Sequence, residues 1–275
     1  TDTICEGDST AFTDLSTLVP PLGVGIETWQ WEFGDGGTST DQNPIYLYNS
    51  AGIYNAILTV TDSNECQGYD TNIVVVDTLP IVNFNFTDTI CLGDTTFFTD
   101  LSINTSGTIT TWNWNFGDGN TSTDPNPTHL YTSAGTYTVI LNIIDDNLCQ
   151  NTDTQTVIVR PNPIAIFTAD TVCVGNATEL ISLSISDPNF DTIAGTINSW
   201  EWIFGDGNTY GNDSATVHNL YTAYGAYLVT LTVTDQYGCN TEISDSIYVN
   251  PGPIAAFTTD TICEGDSTAF TDLST

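Results

Sequence analysis

Lysine and methionine are absent from this chain of 275 residues, and Arg160 is its single arginine. Against 34 Asp plus Glu and two His, that leaves a formal net charge of -33. One fixed cation cannot build the clusters of Lys and Arg that displace counterions from phosphate backbones, so nucleic acid is excluded as a partner. Anionic membrane surfaces are excluded on the same ground. Long apolar runs are missing too: none approaches the roughly 18 residues of a membrane span, and insertion of this segment is not expected. The chain opens TDTICEGD, with neither an initiator Met nor a signal-like stretch, so we expect an interior part of a longer protein. The shortage of cations also predicts resistance to trypsin. Because Pro161 follows Arg160, even the reduced, unfolded chain should survive digestion, and efficient tryptic fragmentation on a gel would contradict this.

What is present is sufficient for packed cores: 40% hydrophobic and 11% aromatic residues argue against a charge-driven disordered chain. Threonine occurs 48 times, and its branched Cβ favours strands and turns over helices. All six tryptophans lie in three W-x-W pairs, within TWQWEFGDGG from Thr28, TWNWNFGDGN from Thr111 and SWEWIFGDGN from Ser199. A second landmark recurs as DTICEGD at Asp2, DTICLGD at Asp88, DTVCVGN at Asp170 and DTICEGD at Asp260, which implies three repeats and an unfinished fourth. Residues 1–17 return unchanged as residues 259–275, while neighbouring copies have diverged, so a block of three repeats has itself been duplicated.

Within each repeat, short apolar runs alternate with turn residues, and no helical period competes. In repeat two the candidate strands are IVNFNF, TTFFTD, ITTWNWNF, THLYT, TYTVILNII and TQTVIVR, separated by GD, GDGN, DPNP and SAG. Alternation places Trp112, Trp114 and Phe116 on one face, the core face, and Asn113 and Asn115 on the other. The junctions VVVDTLPIVNF and VIVRPNPIAIF pass from one repeat to the next without a flexible linker, which predicts semi-rigid abutment.

These residues resemble the PKD (polycystic kidney disease) repeat family, through W-x-F-G-D-G and the later segments LYNSAGIYNAILTVTD, LYTSAGTYTVILNIID and LYTAYGAYLVTLTVTD. The resemblance implies an all-β fold of tandem immunoglobulin-like sandwiches. The expected domains are 1–79, without its first strand, 80–161, 162–250, and the start of a fourth at 251–275. The paired cysteines and the P-x-P-I-A-x-F junction look most like arrays on surface proteins that Bacteroidota export by the type IX pathway. Where the family strand usually begins with Tyr, this chain has Trp29, Trp112 and Trp200; with Trp31, Trp114 and Trp202 they form the expected core signature.

In an extracellular β-repeat of this kind the natural disulfides lie within each domain: Cys5 with Cys66, Cys91 with Cys149, and Cys173 with Cys239, leaving Cys263 to the unfinished repeat. The rival is pairing between neighbours, Cys66 with Cys91, Cys149 with Cys173 and Cys239 with Cys263. After the tryptophan strand, Asp118, Asn120, Ser122 and Asp124 place oxygens at alternate positions, like the early part of a calcium loop. The closing Glu of such a loop is absent, and a tight hairpin asks for the same residues. Calcium is thus the one cofactor considered. The triplet of Asp, then Thr or Ser, then an aliphatic residue, as at Thr3, Thr89, Thr171 and Thr261, resembles an O-glycosylation acceptor of Bacteroidota. His129 and His218 fall at similar places, two residues before Tyr131 and three before Tyr221, with Tyr46 nearby in repeat one; a His that one repeat lacks is no shared catalytic base. No nucleophile or phosphate-loop motif is present, so no enzyme is expected.

The expected function is an extracellular, cell-surface stalk or filament of disulfide-bonded domains. Its partners would be neighbouring domains of the array, laterally associated copies, or surface glycans and proteins. The alternative is a glycan- or protein-binding accessory module of a secreted hydrolase or adhesin, which would display exposed Trp.

Overall fold

The computed structural model describes residues 3–18, 25–190, 192–211 and 214–275. The chain forms two compact units: Thr1–Asp88 with Thr95–Leu130 and Thr136–Val157, and Thr89–Asp94 with Tyr131–Gly135 and Ile158–Thr275. Strands dominate both, and among the described residues the sole helical element is a 3-10 turn at Pro188–Phe190. The fold is all-β, with immunoglobulin-like sandwiches in tandem.

In the first unit, repeat one carries a sheet in the order Thr3–Cys5, Gln67–Asp77, Gly52–Asp62, Ile26–Glu32, Thr38–Ser39. The first of these strands runs parallel to the end of Gln67–Asp77, with Cys5 opposite Asp77. Facing that sheet, Ser9–Ala11 pairs with Ile45–Leu47. Repeat two repeats the pattern: its tryptophan strand Ile109–Asn115 pairs with Thr121–Ser122 and with the following long strand. Opposite it stand Phe84–Phe86, Thr95–Asp100 and Thr128–Leu130. The second unit holds repeat three, where Ile197–Ile203 lies between Thr209–Gly211 and Gly225–Asp235, the latter paired with Asn240–Val249. Its opposing sheet is Phe167–Ala169, Ala177–Ser182 and Thr216–Leu220. Beyond it, Phe257–Thr259 pairs with Phe270–Asp272. In this unit, too, Cys91 stands opposite Arg160 in a parallel pair.

The cores follow the alternation of the sequence. Trp31, Trp114 and Trp202 are buried, as are Phe33, Phe116 and Phe204 two positions on, and Tyr48, Tyr131 and Tyr221 later in each repeat. Large aromatic side chains supply most of the apolar area that drives such small sandwiches to fold. The buried Tyr48 hydroxyl donates to the Phe33 carbonyl at 3.0 Å, and Tyr221 does the same to Phe204 at 3.1 Å. Burial pushes the Tyr48 phenol up to about 12.

The first tryptophan of each pair departs from the core expectation. Trp29, Trp112 and Trp200 are only half-buried. An indole N–H needs a partner when it leaves bulk water, and here Nε1 donates to Asp14 at 2.6 Å, Asp100 at 2.7 Å and Ser182 at 3.1 Å. Burial alone would raise the Asp14 pKa, but hydrogen bonds from Ser16, Gln42 and Trp29 outweigh it and hold the carboxyl at about 2. A carboxylate depressed in the folded state stabilises above its unfolded pKa and loses that contribution as pH falls through the folded value. The Asp14 contribution should therefore vanish between the ordinary 3.8 and about 2. Asp14→Asn should flatten the fall of melting temperature across that window; parallel curves for parent and variant would contradict this.

The glycine that opens each FGDG turn is a second local requirement. Gly34, Gly117 and Gly205 have φ of +88°, +82° and +77°. A Cβ at these places would stand 2.8 Å from the backbone of Asn55, 2.5 Å from that of Thr138 and 2.5 Å from that of Leu228. Only glycine permits both the left-handed turn and the close approach of the neighbouring strand.

Candidate functional site

The cysteines define the chemistry this chain carries, and their holders are built locally. Before the second cysteine of each repeat, the aspartate that ends the long strand curls the loop around its carboxylate. Asp62 Oδ1 accepts from the Asn64 and Cys66 amides at 2.8 and 2.9 Å. Asp145 Oδ1 accepts from Asn147 and Cys149 at 3.0 and 2.8 Å, and Asp235 Oδ1 from Tyr237 and Cys239 at 2.8 and 2.9 Å. The residue before each cysteine has positive φ: Glu65 at 64°, Leu148 at 67° and Gly238 at 89°. The first cysteine of each repeat opens a turn instead, its carbonyl accepting from Asp8 at 3.0 Å, Asp94 at 3.0 Å and Asn176 at 3.1 Å for Cys5, Cys91 and Cys173.

The disulfides join successive repeats. Cys5 is bonded to Cys149 and Cys91 to Cys239, whereas Cys66, Cys173 and Cys263 are free and exposed. The expected bridges within each repeat do not form, and neither do those of the rival scheme. Cys66 stands just before Gln67–Asp77, while Cys5 lies opposite Asp77 at its far end. Eleven extended residues span roughly 35 Å, against the 7 Å or so between Cα atoms that a disulfide tolerates. The first cysteine thus sits where the chain leaves its repeat and the second where the chain enters. Each can reach only an adjoining repeat.

Polar contacts surround both staples. In the first unit Asp77, opposite Cys5, accepts from Asn147 Nδ2 at 2.7 Å, and Thr78 Oγ1 lies 3.0 Å from Thr105 Oγ1 and 2.9 Å from Ser106 Oγ. In the second unit the same place beside Cys91 is held by Arg160. Its guanidinium lies 3.4 Å from the ring centroid of Tyr237 and donates to the Ile193 carbonyl at 2.6 Å. The one arginine of the chain is spent on this junction, in a cation–π contact.

The candidate calcium residues are engaged within their own turn. Asp118 accepts from the Asn120 amide and side chain, both at 3.0 Å, and bonds His129 Nε2 at 2.8 Å. Burial would raise the Asp118 pKa, but those bonds from Asn120 and His129 hold it below its ordinary value. Ser122 accepts from the Asp124 amide at 3.1 Å, and the Asp124 carbonyl from Trp114 Nε1 at 2.9 Å. Among the described residues, no group of three or more His, Cys, Asp and Glu is placed to hold a metal ion. The turn aspartate is clamped in every repeat: Tyr46 donates to Asp35 at 2.9 Å, His129 bonds Asp118, and Asn219 donates to Asp206 at 2.8 Å. His129 therefore corresponds to Asn219 rather than to His218, which lies 3.6 Å from Glu179. Of the candidate acceptor threonines, Thr3, Thr171 and Thr261 are exposed and Thr89 is half-buried, each two residues before a first cysteine.

The family model described as PKD domain matches residues 1–76, 77–159 and 160–251. A microbial collagenase of Vibrio alginolyticus is 45% identical over 56 residues, 18% of this chain and 7% of its own length. The pre-pro-metalloprotease PrtV of Vibrio cholerae serotype O1 (strain M66-2) is 32% identical over 124 residues, 44% of this chain and 13% of its own. The chain thus spans a small part of the curated relatives it matches. Among solved structures, the PKD1 domain of Vibrio anguillarum Epp is 32% identical, covering 30% of this chain and 95% of that domain at a TM-score of 0.28. The PKD1 domain of Vibrio cholerae PrtV is 34% identical, covering 30% and 96%, also at 0.28.

Proposed function

The chain belongs to the PKD domain family, and from that premise we propose that it is a non-catalytic structural or adhesive segment, a semi-rigid stalk of sandwiches stapled one to the next. The observation that carries this reading is the pairing of Cys5 with Cys149 and of Cys91 with Cys239, each between successive repeats. A staple inside a domain would stabilise that domain; one across a junction restrains the angle between two domains and carries load past it. Such bonds persist in oxidising surroundings, which supports an extracellular place. A bacterial surface reached by the type IX route rests on the cysteine pairs and the P-x-P-I-A-x-F junction. Glycan carried on the exposed Thr3, Thr171 and Thr261 would suit the same setting. The alternative of a ligand-binding accessory gains no tryptophan platform, since all six tryptophans are buried or half-buried.

Small-angle scattering tests the stalk. Strands of eight to ten residues make a domain about 30 to 40 Å long, so three in line extend on the order of 100 Å and have a radius of gyration near 30 Å. A compact particle of this length would have about 19 Å. The stalk requires the larger value in the oxidised chain, and a value near 19 Å would overturn it.

A further inference from the structure

The two staples share one build and differ in electrical setting. In the first, Glu6 and Asp8 follow Cys5, and Asp145 and Asp146 open the loop of Cys149. Asp77 stands opposite Cys5, its carboxylate accepting from Asn147 at 2.7 Å. In the second, Asp94 and Asp235 keep the places of Asp8 and Asp145, but Leu92 and Gln236 replace Glu6 and Asp146. Arg160 replaces Asp77, opposite Cys91. Asn147 and Tyr237 each stand two residues before the second cysteine of their bridge. The Asp77 carboxylate on Asn147 and the Arg160 guanidinium on the Tyr237 ring, at 3.4 Å, therefore hold equivalent positions with opposite charge.

Access differs in the same sense. The second cysteines are closed off alike, Cys149 at 0% and Cys239 at 1% exposure. Cys5 is buried as well, at 7%, whereas Cys91 is only half-buried. Thiol–disulfide exchange begins when a thiolate attacks one sulfur and the other departs as thiolate, so the reagent brings negative charge to the bridge and leaves it there. Carboxylates around a bridge repel both the reagent and the departing thiolate, and a guanidinium attracts them.

We propose that Cys91–Cys239 is an exchangeable bridge, opened by small-molecule thiols while Cys5–Cys149 persists, which makes the joint between repeats two and three the redox-responsive point of the chain. The reagent sulfur bonds to Cys91 Sγ, the Cys91–Cys239 bond breaks, and its electron pair leaves on Cys239 Sγ near Arg160. A second reagent thiolate then attacks the first reagent sulfur and releases Cys91. Two thiols are oxidised to one disulfide, and their two protons end on Cys91 and Cys239. This chemistry does not depend on the chain serving as a stalk.

The test uses the oxidised full chain with its exposed thiols, Cys66, Cys173 and Cys263, first blocked with N-ethylmaleimide. Two monothiols of opposite charge, 2-mercaptoethanesulfonate and cysteamine, are applied separately. Samples are quenched with isotopically labelled N-ethylmaleimide, and the opening of each bridge is followed by mass spectrometry. Taking the ratio of the two opening rates cancels the differing reactivity of the reagents. Replacing a negative by a positive charge roughly 8 Å away in a mostly aqueous setting changes such a rate on the order of tenfold. With the anionic thiol Cys91–Cys239 should open about ten times faster than Cys5–Cys149, and with the cationic thiol the ratio should be at least threefold smaller. Arg160→Gln should lower the ratio for the anionic thiol at least threefold; mere loosening of the joint would raise it, so the sign separates charge from structure. Cys5–Cys149 opening as fast or faster, a ratio indifferent to reagent charge, or a ratio unmoved or raised by Arg160→Gln would each overturn the proposal.

Discussion

Replacing Cys91 and Cys239 together by serine should lower the stability of the oxidised chain by about 5 kcal/mol, since loop-entropy estimates give that amount for a closed stretch of this length. The bridge spans 148 residues and so restrains two repeats at once. The consequence differs from that of a bridge inside one domain. With the staple intact, repeats two and three should melt as one cooperative transition in calorimetry, because neither can expand without dragging the other. In the double variant the transition should broaden or divide, and repeat three should unfold at the lower temperature it reaches alone. Cys66→Ser is the control: Cys66 is exposed and unbonded, and surface changes of that kind usually fall within about 0.5 kcal/mol. An unchanged calorimetric profile for Cys91→Ser with Cys239→Ser would contradict the account.

Gly117→Ala should cost roughly 2 to 5 kcal/mol, from the left-handed backbone and from overpacking together. Its φ is +82°, and the added Cβ would stand 2.5 Å from the Thr138 carbonyl oxygen, on backbone that cannot swing aside. Gly119 separates the two causes. Its φ is +95°, yet a Cβ there meets nothing within 4 Å, so Gly119→Ala should pay only the conformational part, about 1 to 2 kcal/mol. Denaturant titration of both variants gives the comparison. Equal losses would mean that the approach of Thr138 does not explain the turn.

Much of this architecture could be read from the residues because it depends on neighbours in sequence. The period of two in WNWNF identifies the strand and its core face, and FGDG marks the turn that follows. The identity of 1–17 with 259–275 reveals the array. The disulfide partners could not be read this way. Composition and spacing do not say at which end of a sandwich a cysteine sits; that depends on Thr3–Cys5 running parallel to the end of Gln67–Asp77, a pairing between residues some seventy apart. A local signal did exist. Asp62 and Cys66, Asp145 and Cys149, Asp235 and Cys239 all stand four apart, a spacing that marks the second cysteine as part of a loop closed on its own aspartate. His129 misled for a similar reason. Its role is to hold Asp118, a task that Tyr46 and Asn219 perform elsewhere, and chemistry as varied as a phenol, an imidazole and an amide hides a common position. The half-burial of Trp29 and Trp112 follows from Asp14 and Asp100, which stand 15 and 12 residues earlier, beyond the reach of the alternation within the tryptophan strand.

The most direct measurement is a nonreducing peptide map of the native chain, cut with a protease specific for acidic residues because trypsin has no usable site. Linked peptides carrying Cys5 with Cys149 and Cys91 with Cys239 are the expected result. Peptides linking Cys5 with Cys66 and Cys91 with Cys149 would place the bridges inside each repeat and contradict the account.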